Sequence, residues 1–301
     1  MLYRELIAMI ADRLQPELKA YEMAVQYAWW LLEKVTMTSR LQLVAQREIT
    51  LTEQQHAHLE QLIQAIVVEH KPLGYILQEV PFGDLMISVR PPVLIPRMET
   101  EEWVVDLIQH IKKAGITDFK LLDLCSGSGC IALLFASEFK QATIYAVDLY
   151  PDALALMREN KERLGLQNMH IVQSDLFASL PNQRFDIIVS NPPYITHAEY
   201  ADLDTSVTAW EDKNALVADD EGLAIIASLV QNAPNYLQHN PCIKDAKIPQ
   251  LAIEIGYAQG QAVRNCMERA GFVHVAVQQD SAGKDRVVVG SLPDVAKGKK
   301  A

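Results

Sequence analysis

The sequence predicts an α/β fold in which a doubly wound parallel sheet follows a small helical domain. From Glu99 onward, short apolar runs alternate with helical patterns, which is typical of a parallel sheet covered by helices on both faces. Residues 1 to about 72 instead contain long stretches without glycine and place Leu, Ile and Ala at three- and four-residue spacings, as helices do. At 301 residues, half of them hydrophobic, the chain is long enough to form both parts.

Local signals give the boundaries of these parts. The sequence Thr52-Glu53-Gln54-Gln55 predicts a capping box that opens a helix running to about Glu69. Lys71-Pro72-Leu73-Gly74 ends that helix, and Pro81-Phe82-Gly83-Asp84 predicts a β-hairpin. We therefore expect a helical domain over 1–72, a hairpin linker over 73–97, a sheet domain over 98–293 and a disordered tail over 294–301.

The loop after the first apolar run of the sheet domain indicates a site for a nucleotide-type cofactor. The run 120–124 leads into Cys125, Ser126, Gly127, Ser128 and Gly129, and small residues at such a turn let a ligand approach the backbone. The next run ends in Asp148, 21 residues after Gly127, near the spacing of a carboxylate that binds ribose hydroxyls. The positions of the glycines depart from the dinucleotide fingerprint, and the chain contains no phosphate-binding P-loop.

A second motif, Asn191-Pro192-Pro193-Tyr194, directly follows the apolar run 185–190. Each proline fixes its own backbone and lacks an N–H, and Pro192 also keeps Asn191 out of the helical region. The turn therefore presents one carboxamide, free carbonyls and an aromatic ring. These groups suit a planar amide or an amino-purine, because the Asn191 oxygen and a backbone carbonyl can accept its two hydrogens while Tyr194 packs on its face. A plain strand-ending turn with a buried Tyr is the alternative that this motif alone leaves open.

Together these motifs resemble the HemK-type protein-(glutamine-N5) methyltransferases, the release-factor glutamine methyltransferases. The resemblance runs from about Tyr75 to Gly290. It rests on the glycine-rich loop and on further segments, which are 93–101 (VLIPRMETE), 147–148 (VD), 190–195 (SNPPYI), 254–256 (EIG) with 259–260 (QG), and 283–288 (GKDRVV). It implies a class I S-adenosylmethionine-dependent methyltransferase fold, which is Rossmann-like, with a doubly wound sheet of seven strands whose last strand, about 287–292, is antiparallel.

The resemblance also implies roles for individual residues. S-adenosylmethionine would lie against Cys125, Ser126, Gly127, Ser128 and Gly129, with Asp148 at its ribose, Asp175 and Leu176 at its adenine, and Asn191 nearby. Catalysis would rest on Asn191, Pro192 and Tyr194, which together with Pro193 would bind the substrate amide. The segment 97–101 would support this turn, or would form only a helix cap with a surface ion pair. Trp210-Glu211-Asp212 would gate the substrate channel, or would be an ordinary packed Trp.

The function that the resemblance implies is methyl transfer from S-adenosylmethionine to the glutamine of the Gly-Gly-Gln motif in class-I peptide chain release factors. Because NPPY is shared with DNA and RNA amino-methyltransferases, methylation of a ribosomal-protein glutamine or of an exocyclic base amine stays open, as does a non-enzymatic scaffold. The net charge of −11 argues against binding a phosphate backbone and is compatible with a basic protein partner.

Cysteine usage and hydropathy limit the remaining possibilities. The cysteines at 125, 130, 242 and 266 show no paired C-x-x-C spacing, so we expect reduced thiols in an intracellular protein that binds no metal. We also expect no membrane span and no signal peptide. The segment 239–249 is similar to that of some fungal or mitochondrial members, so both the bacterial cytoplasm and the mitochondrial matrix fit. The expected protein is a monomer that binds a release factor and makes no direct contact with nucleic acid or membrane.

Overall fold

A computed structural model describes residues 1–18, 20–180 and 182–294, and the chain divides into two compact units. The first unit comprises Met1–Glu79 and Asp204–Trp210, and the second comprises Val80–Leu203 and Glu211–Ala301. Apart from Asp294, the tail predicted over 294–301 lies outside the described residues. No helix among the described residues has the length and apolar character that crossing a membrane requires.

The first unit is built from helices. They are α1 (Tyr3–Leu14), α2 (Tyr21–Thr36), α3 (Arg40–Gln46), α4 (Glu53–Val67) and α5 (Leu73–Leu77), with a 3₁₀ turn at Gln15–Glu17 and a short helix at Thr205–Thr208. The predicted capping box is confirmed, since Thr52 Oγ1 accepts the Gln55 N–H at 3.2 Å and Gln55 Oε1 accepts the Thr52 N–H at 2.9 Å. Apolar residues three and four apart on α1, α2 and α4 form the core of this unit.

The helical unit is larger than the predicted range 1–72. Helix α5 adds Leu73 and Ile76 to the same apolar core. The distant segment that ends at Trp210 also belongs to it, because Trp210 Nε1 donates to the Glu69 carbonyl at 2.8 Å and the Lys71 ammonium lies 4.9 Å from the centre of the Trp210 ring. Trp210 and Glu69 are 141 residues apart in the sequence, so a boundary drawn along the chain could not include this segment.

A hairpin precedes a seven-stranded sheet, as predicted. The hairpin strands are β1 (Glu79–Phe82) and β2 (Leu85–Ser88), and the sheet strands are β3 (Lys120–Leu124), β4 (Thr143–Asp148), β5 (Met169–Gln173), β6 (Ile187–Ser190), β7 (Leu251–Glu254), β8 (Val273–Gln279) and β9 (Asp285–Ser291). The sheet order is β5-β4-β3-β6-β7-β9-β8, and among its seven described strands β9 alone runs opposite to the other six. The doubly wound class I fold and its antiparallel last strand are therefore confirmed.

Helices cover both faces of the sheet. The helices of the second unit are α6 (Met98–Lys113), α7 (Cys130–Glu138), α8 (Pro151–Arg163), α9 (His197–Ala201), α10 (Asp219–Gly222), α11 (Ala224–Tyr236), α12 (Pro241–Asp245) and α13 (Gly260–Arg269). Because side chains alternate along a strand, Leu122 and Leu124 of β3 share one core with α11 and α13, while Asp123 faces α7 and accepts the Ala132 N–H. Both faces are buried, which explains the nearly continuous apolar character of β3.

The strand order determines where a ligand can bind. Leu124, the last residue of β3, pairs with Val147 of β4 on one side and with Ser190 of β6 on the other. The strands that follow β3 along the chain therefore lie on both sides of it, which makes the end of β3 a topological switch point. Ligands of open α/β sheets bind at the carboxyl ends of the strands at such a point. The glycine-rich loop after β3, the residues after β4 and the NPPY turn after β6 all meet at this edge.

Candidate active site

A cavity of about 190 Å³ lies at the switch point. Of the predicted cofactor residues, those that line it are Cys125, Gly127, Asp148, Asp175, Leu176 and Asn191. Val93 and Leu94, from a segment that carries the resemblance but was given no cofactor role, also line it. Its walls are completed by residues that the sequence did not indicate, which include Pro92, 149–153, 214–215 and Ile225. No local motif marks these positions, because they lie in loops and in the first turns of α8 and α11, which only the tertiary structure brings to the cavity.

The other predicted loop residues lie behind the cavity wall. Ser126 Oγ donates to the Asp123 carbonyl at 2.8 Å and accepts the Val147 N–H at 3.1 Å, so this hydroxyl ties the loop to β4. Ser128 is 3% exposed, and Gly129 directly precedes α7. These three residues shape the loop and do not line the cavity.

Two residues other than glycine adopt a left-handed backbone in the cavity wall, Cys125 with φ 59° and Leu176 with φ 44°. This conformation costs an L-residue roughly 1–2 kcal/mol, and such strain is concentrated at functional sites. Cys125 therefore preserves a turn that glycine would adopt more easily. Gly127 is left-handed as well, and no atom of the described residues other than Gly127 and its two chain neighbours lies within 4 Å of the position that a Cβ would take, so its backbone is open to a ligand.

Asp148 projects from the end of β4 and is 8% exposed. Its Oδ2 accepts the Gly127 N–H at 2.8 Å and its Oδ1 accepts the Tyr150 N–H at 3.0 Å. Burial raises the pKa of this carboxyl, and the two N–H donors oppose that shift. Each oxygen of a carboxylate can accept a second hydrogen bond, so Asp148 keeps acceptor capacity for a pair of ligand hydroxyls.

Asp123 lies behind the loop and is fully buried. Its Oδ2 accepts the Ala132 N–H at 3.2 Å, and no described residue donates to its Oδ1. Burial raises the pKa of Asp123 to about 8, because a charged carboxylate without sufficient donors is poorly stabilised there. No role for this residue is predicted from the sequence, although it stands two positions before the predicted loop.

Replacing Asp123 with Asn is expected to stabilise the protein more at pH 8 than at pH 5. The folded state keeps the Asp123 proton up to about pH 8, whereas the unfolded chain releases it near its ordinary value of 3.8. Wild-type stability therefore falls as the pH rises between these two values, by up to about 1.4 kcal/mol per unit, and the amide removes this dependence. Urea unfolding of both proteins at pH 5 and pH 8 measures the effect, and a pH-independent difference would contradict it.

The NPPY turn carries two free acceptors, one of them on a residue that lines the cavity. Asn191 and Pro193 line the cavity, Pro192 is buried, and Tyr194 is half-buried. The Asn191 Nδ2 donates to Thr100 Oγ1 at 3.2 Å. Among the described residues, none donates a hydrogen bond to Asn191 Oδ1 or to the Pro192 carbonyl. Both oxygens can therefore bind an external N–H.

A buried carboxylate lies behind this turn. Glu254, the last residue of β7, is 1% exposed. Its Oε2 accepts from the Thr100 hydroxyl at 2.7 Å and from Trp103 Nε1 at 2.9 Å, and its Oε1 accepts from the Tyr194 hydroxyl at 3.3 Å. Burial raises the pKa of Tyr194 and of Glu254, and the donors around Glu254 oppose its shift. Tyr194 is thus a neutral phenol held by Glu254, an arrangement that the sequence did not indicate.

The ion pair of Arg97 and Glu211 holds the segment that walls the cavity at 92–94. The Glu211 side chain is only 1% exposed, so Arg97 pairs with a buried carboxylate that lies outside its own segment 97–101. Glu211 Oε1 also accepts the Ile95 N–H at 3.5 Å, and the Asp212 N–H donates to the Pro92 carbonyl at 2.8 Å. Burial raises the pKa of Glu211, and the Arg97 charge opposes that shift.

Replacing Arg97 with Met is expected to lower the free energy of unfolding by about 2 kcal/mol. The change leaves the Glu211 carboxylate buried without its counter-charge, and the effect is smaller than for a fully buried pair because Arg97 is 36% exposed. Adding Glu211→Gln removes the unpaired charge and should recover most of the loss. Denaturant unfolding of the single and double variants measures this, and a double variant no more stable than the single one would refute the explanation.

The sheet and the cavity define the class of enzyme, which is the methyltransferases that take their methyl group from S-adenosylmethionine. Residues 5–77 match the model of the PrmC N-terminal domain, and residues 105–240 match that of the methyltransferase small domain. The chain is 36% identical to the release factor glutamine methyltransferase of Salmonella typhimurium (86% of this chain, 89% of that protein). It is 35% identical to that of Escherichia coli (91% of this chain, 94% of that protein). The chain belongs to the release factor glutamine methyltransferase family.

Solved structures agree on the fold. The hMettl16 catalytic domain in complex with MAT2A 3'UTR hairpin 1 is 14% identical to this chain, with a TM-score of 0.50 over 83% of this chain and 85% of that one. The cavity suits S-adenosylmethionine, because Gly127 is open to close approach, Asp148 retains acceptors for ribose hydroxyls, and Leu176 and Ile225 offer an apolar wall to an aromatic base. No group of three metal-ligating side chains is found within the described residues.

Proposed function

We propose that the protein transfers a methyl group from S-adenosylmethionine to the side-chain amide nitrogen of the glutamine in the Gly-Gly-Gln motif of class-I release factors. The pair of free acceptors, Asn191 Oδ1 and the Pro192 carbonyl, carries this proposal. A primary amide has two N–H donors on one nitrogen. Asn191, which lines the cofactor cavity, and the neighbouring residue Pro192 offer one free acceptor each to match them. The activity named for the two bacterial relatives supports the choice of a release-factor glutamine.

The reaction needs a more nucleophilic nitrogen, because an amide lone pair is delocalised. S-adenosylmethionine, when bound, supplies an activated methyl group on its sulfonium sulfur. Asn191 Oδ1 and the Pro192 carbonyl accept both N–H groups of the substrate and so orient the nitrogen as its lone pair leaves conjugation. Alignment of this kind can provide several of the roughly 7–11 kcal/mol attributed to proximity.

Tyr194 and the solvent complete the step. The Tyr194 ring, which is held through its hydroxyl by Glu254, would pack on the face of the substrate amide. With the methyl group attached, the substrate nitrogen would still carry both of its original hydrogens and would have to lose one of them as a proton. The two oxygens that hold the amide are an amide oxygen and a peptide oxygen, which are weak bases, so this proton passes to water.

The charge of the cavity favours a protein substrate over a nucleic acid. Four aspartates line the cavity, and the described residues of its wall include no Lys or Arg. These residues are Asp148, Asp152, Asp175 and Asp212. With the net charge of −11, this wall would repel a phosphate backbone, which disfavours methylation of an exocyclic base amine. The proposal therefore includes no direct contact with nucleic acid.

The proposed function also includes a docking surface for the release factor, an oligomeric state and a cellular compartment. The helical unit would dock the release factor, because a glutamine in a loop must be selected by contacts away from the reacting atoms. The protein would act as a monomer. Both relatives named above are from bacteria, which favours the bacterial cytoplasm over the mitochondrial matrix.

Peptide mass spectrometry tests the proposed function. A purified class-I release factor is incubated with this protein and S-adenosylmethionine and then digested. We expect one added methyl group on the glutamine of Gly-Gly-Gln, and none when the cofactor is omitted or when that glutamine is replaced with Asn. An unmodified release factor under conditions in which the protein binds the cofactor would refute the proposal, and a methylated ribosomal protein or RNA in a parallel reaction would identify the substrate instead.

A further inference from the structure

Three side chains form one hydrogen-bonded chain behind the substrate position. Asn191 Nδ2 donates to Thr100 Oγ1 at 3.2 Å, and the Thr100 hydroxyl donates to Glu254 Oε2 at 2.7 Å. Thr100 and Glu254 are each 1% exposed, so no solvent competes for these bonds. The chain joins helix α6, the end of β7 and the turn after β6.

The donors and acceptors of these three side chains give the hydrogen bonds a direction. Glu254 receives three donors, from Thr100, Trp103 and Tyr194, which stabilise it as a carboxylate that can only accept hydrogen bonds. A threonine hydroxyl has a single hydrogen to donate. Since Thr100 commits that hydrogen to Glu254, it can only accept from Asn191. Asn191 must then present its NH2 group to Thr100, which leaves Oδ1 free on the side of the substrate.

The direction matters because a carboxamide can rotate by half a turn and occupy nearly the same volume. The prolines of the turn fix the backbone but place no restriction on the terminal torsion of Asn191. In the rotated state the Asn191 NH2 would face the substrate NH2, so two donors would oppose each other and the amide would not be held.

We infer that Thr100 and Glu254 are positioning residues that keep the Asn191 oxygen directed at the substrate amide. Glu254 sets the direction of the hydrogen bonds, and Thr100 transmits it. This inference deepens the proposed function and rests on it, since it concerns how the same substrate nitrogen is held. The competing explanation is that both residues only pack α6 against β7.

Variants of Thr100 separate positioning from packing. Thr100→Val removes the hydroxyl and keeps the branched shape, whereas Thr100→Ser keeps the hydroxyl. Trp103→Phe is the matched control, because Trp103 donates to the same Glu254 oxygen but lies outside the chain to Asn191. With a release factor as substrate, we expect Thr100→Val to lower kcat by roughly 10- to 100-fold at an unchanged KM for S-adenosylmethionine. Thr100→Ser should restore kcat, and Trp103→Phe should lower it far less than Thr100→Val does.

A spectroscopic measurement tests the inference without relying on turnover. The side-chain NH2 signal of Asn191 in a ¹⁵N-labelled sample is assigned by its loss in Asn191→Asp. It should exchange slowly with solvent in the wild type and in Thr100→Ser, and faster, with a shifted position, in Thr100→Val. An unchanged signal in Thr100→Val, or equal losses of kcat in Thr100→Val and Trp103→Phe, would overturn the inference. If the wild type leaves the release factor unmodified while the signal behaves as expected, the proposed substrate is wrong and the positioning of Asn191 still stands.

Discussion

Replacing Asn191 with Ala is expected to lower kcat for methyl transfer by roughly 100- to 1000-fold, the range typical of removing one preorganised polar group from a reacting centre. The change removes a free acceptor that faces the substrate and leaves the Pro192 carbonyl to hold the amide alone. It also leaves the buried Thr100 hydroxyl without its donor. Affinity for S-adenosylmethionine should change little, because many other residues form the cavity wall. Initial rates followed by mass spectrometry, with cofactor binding followed by calorimetry, measure the two effects.

The control for this substitution is Asn232→Ala. Asn232 is exposed on α11, where its amide donates to the Ser228 carbonyl at 2.8 Å, so its truncation removes the same group at a distance from the cavity. We expect kcat of the control to match the wild type. An Asn191→Ala protein that kept its rate, or that lost activity only through weaker cofactor binding, would show that Asn191 does not hold the substrate.

The position of the cavity could be predicted from the sequence, because the residues expected to line it stand at or just after the ends of buried strands. Cys125, Asp148 and Asn191 stand at the ends of β3, β4 and β6, and Asp175 follows β5 after one intervening residue. The carboxyl ends of parallel strands meet at one edge of a sheet, so recognising the apolar runs was sufficient to bring these residues together. The glycine at 127 is likewise explained by local geometry, because a ligand must approach the backbone there.

The support behind the turn was not predictable in the same way. Thr100 and Asn191 are 91 residues apart, and Thr100 and Glu254 are 154 residues apart. Their contact depends on the register of α6 against the end of β7, and no local pattern encodes that register. The sequence indicated 96–101 and 254–256 only as separate motifs, and periodicity alone would assign Glu254 to the end of a strand with no partner.

A second large effect is expected at Gly222, far from the motifs in sequence. Replacing Gly222 with Ala should lower the free energy of unfolding by about 3 kcal/mol, from the combined cost of overpacking and a left-handed alanine. Gly222 has φ +78°, and a Cβ there would lie 2.0 Å from the Tyr194 carbonyl oxygen and 2.7 Å from Gln259 Nε2. Urea unfolding measures this loss.

The same substitution should also lower methyl transfer, because the colliding atom belongs to the NPPY turn. Gln259 Nε2 donates at 3.0 Å both to the Tyr194 carbonyl and to the Glu221 carbonyl, so a displaced Tyr194 also breaks the link to α10. Gly115→Ala is the matched control, since Gly115 has φ +70° and open space around the added Cβ. We expect the free energy of unfolding of the control to fall by about 1 kcal/mol and its activity to match the wild type. A Gly222→Ala protein as active and as stable as this control would mean that the turn tolerates movement of Tyr194, and that the rigidity assigned to the substrate site does not depend on the packing of Gly222.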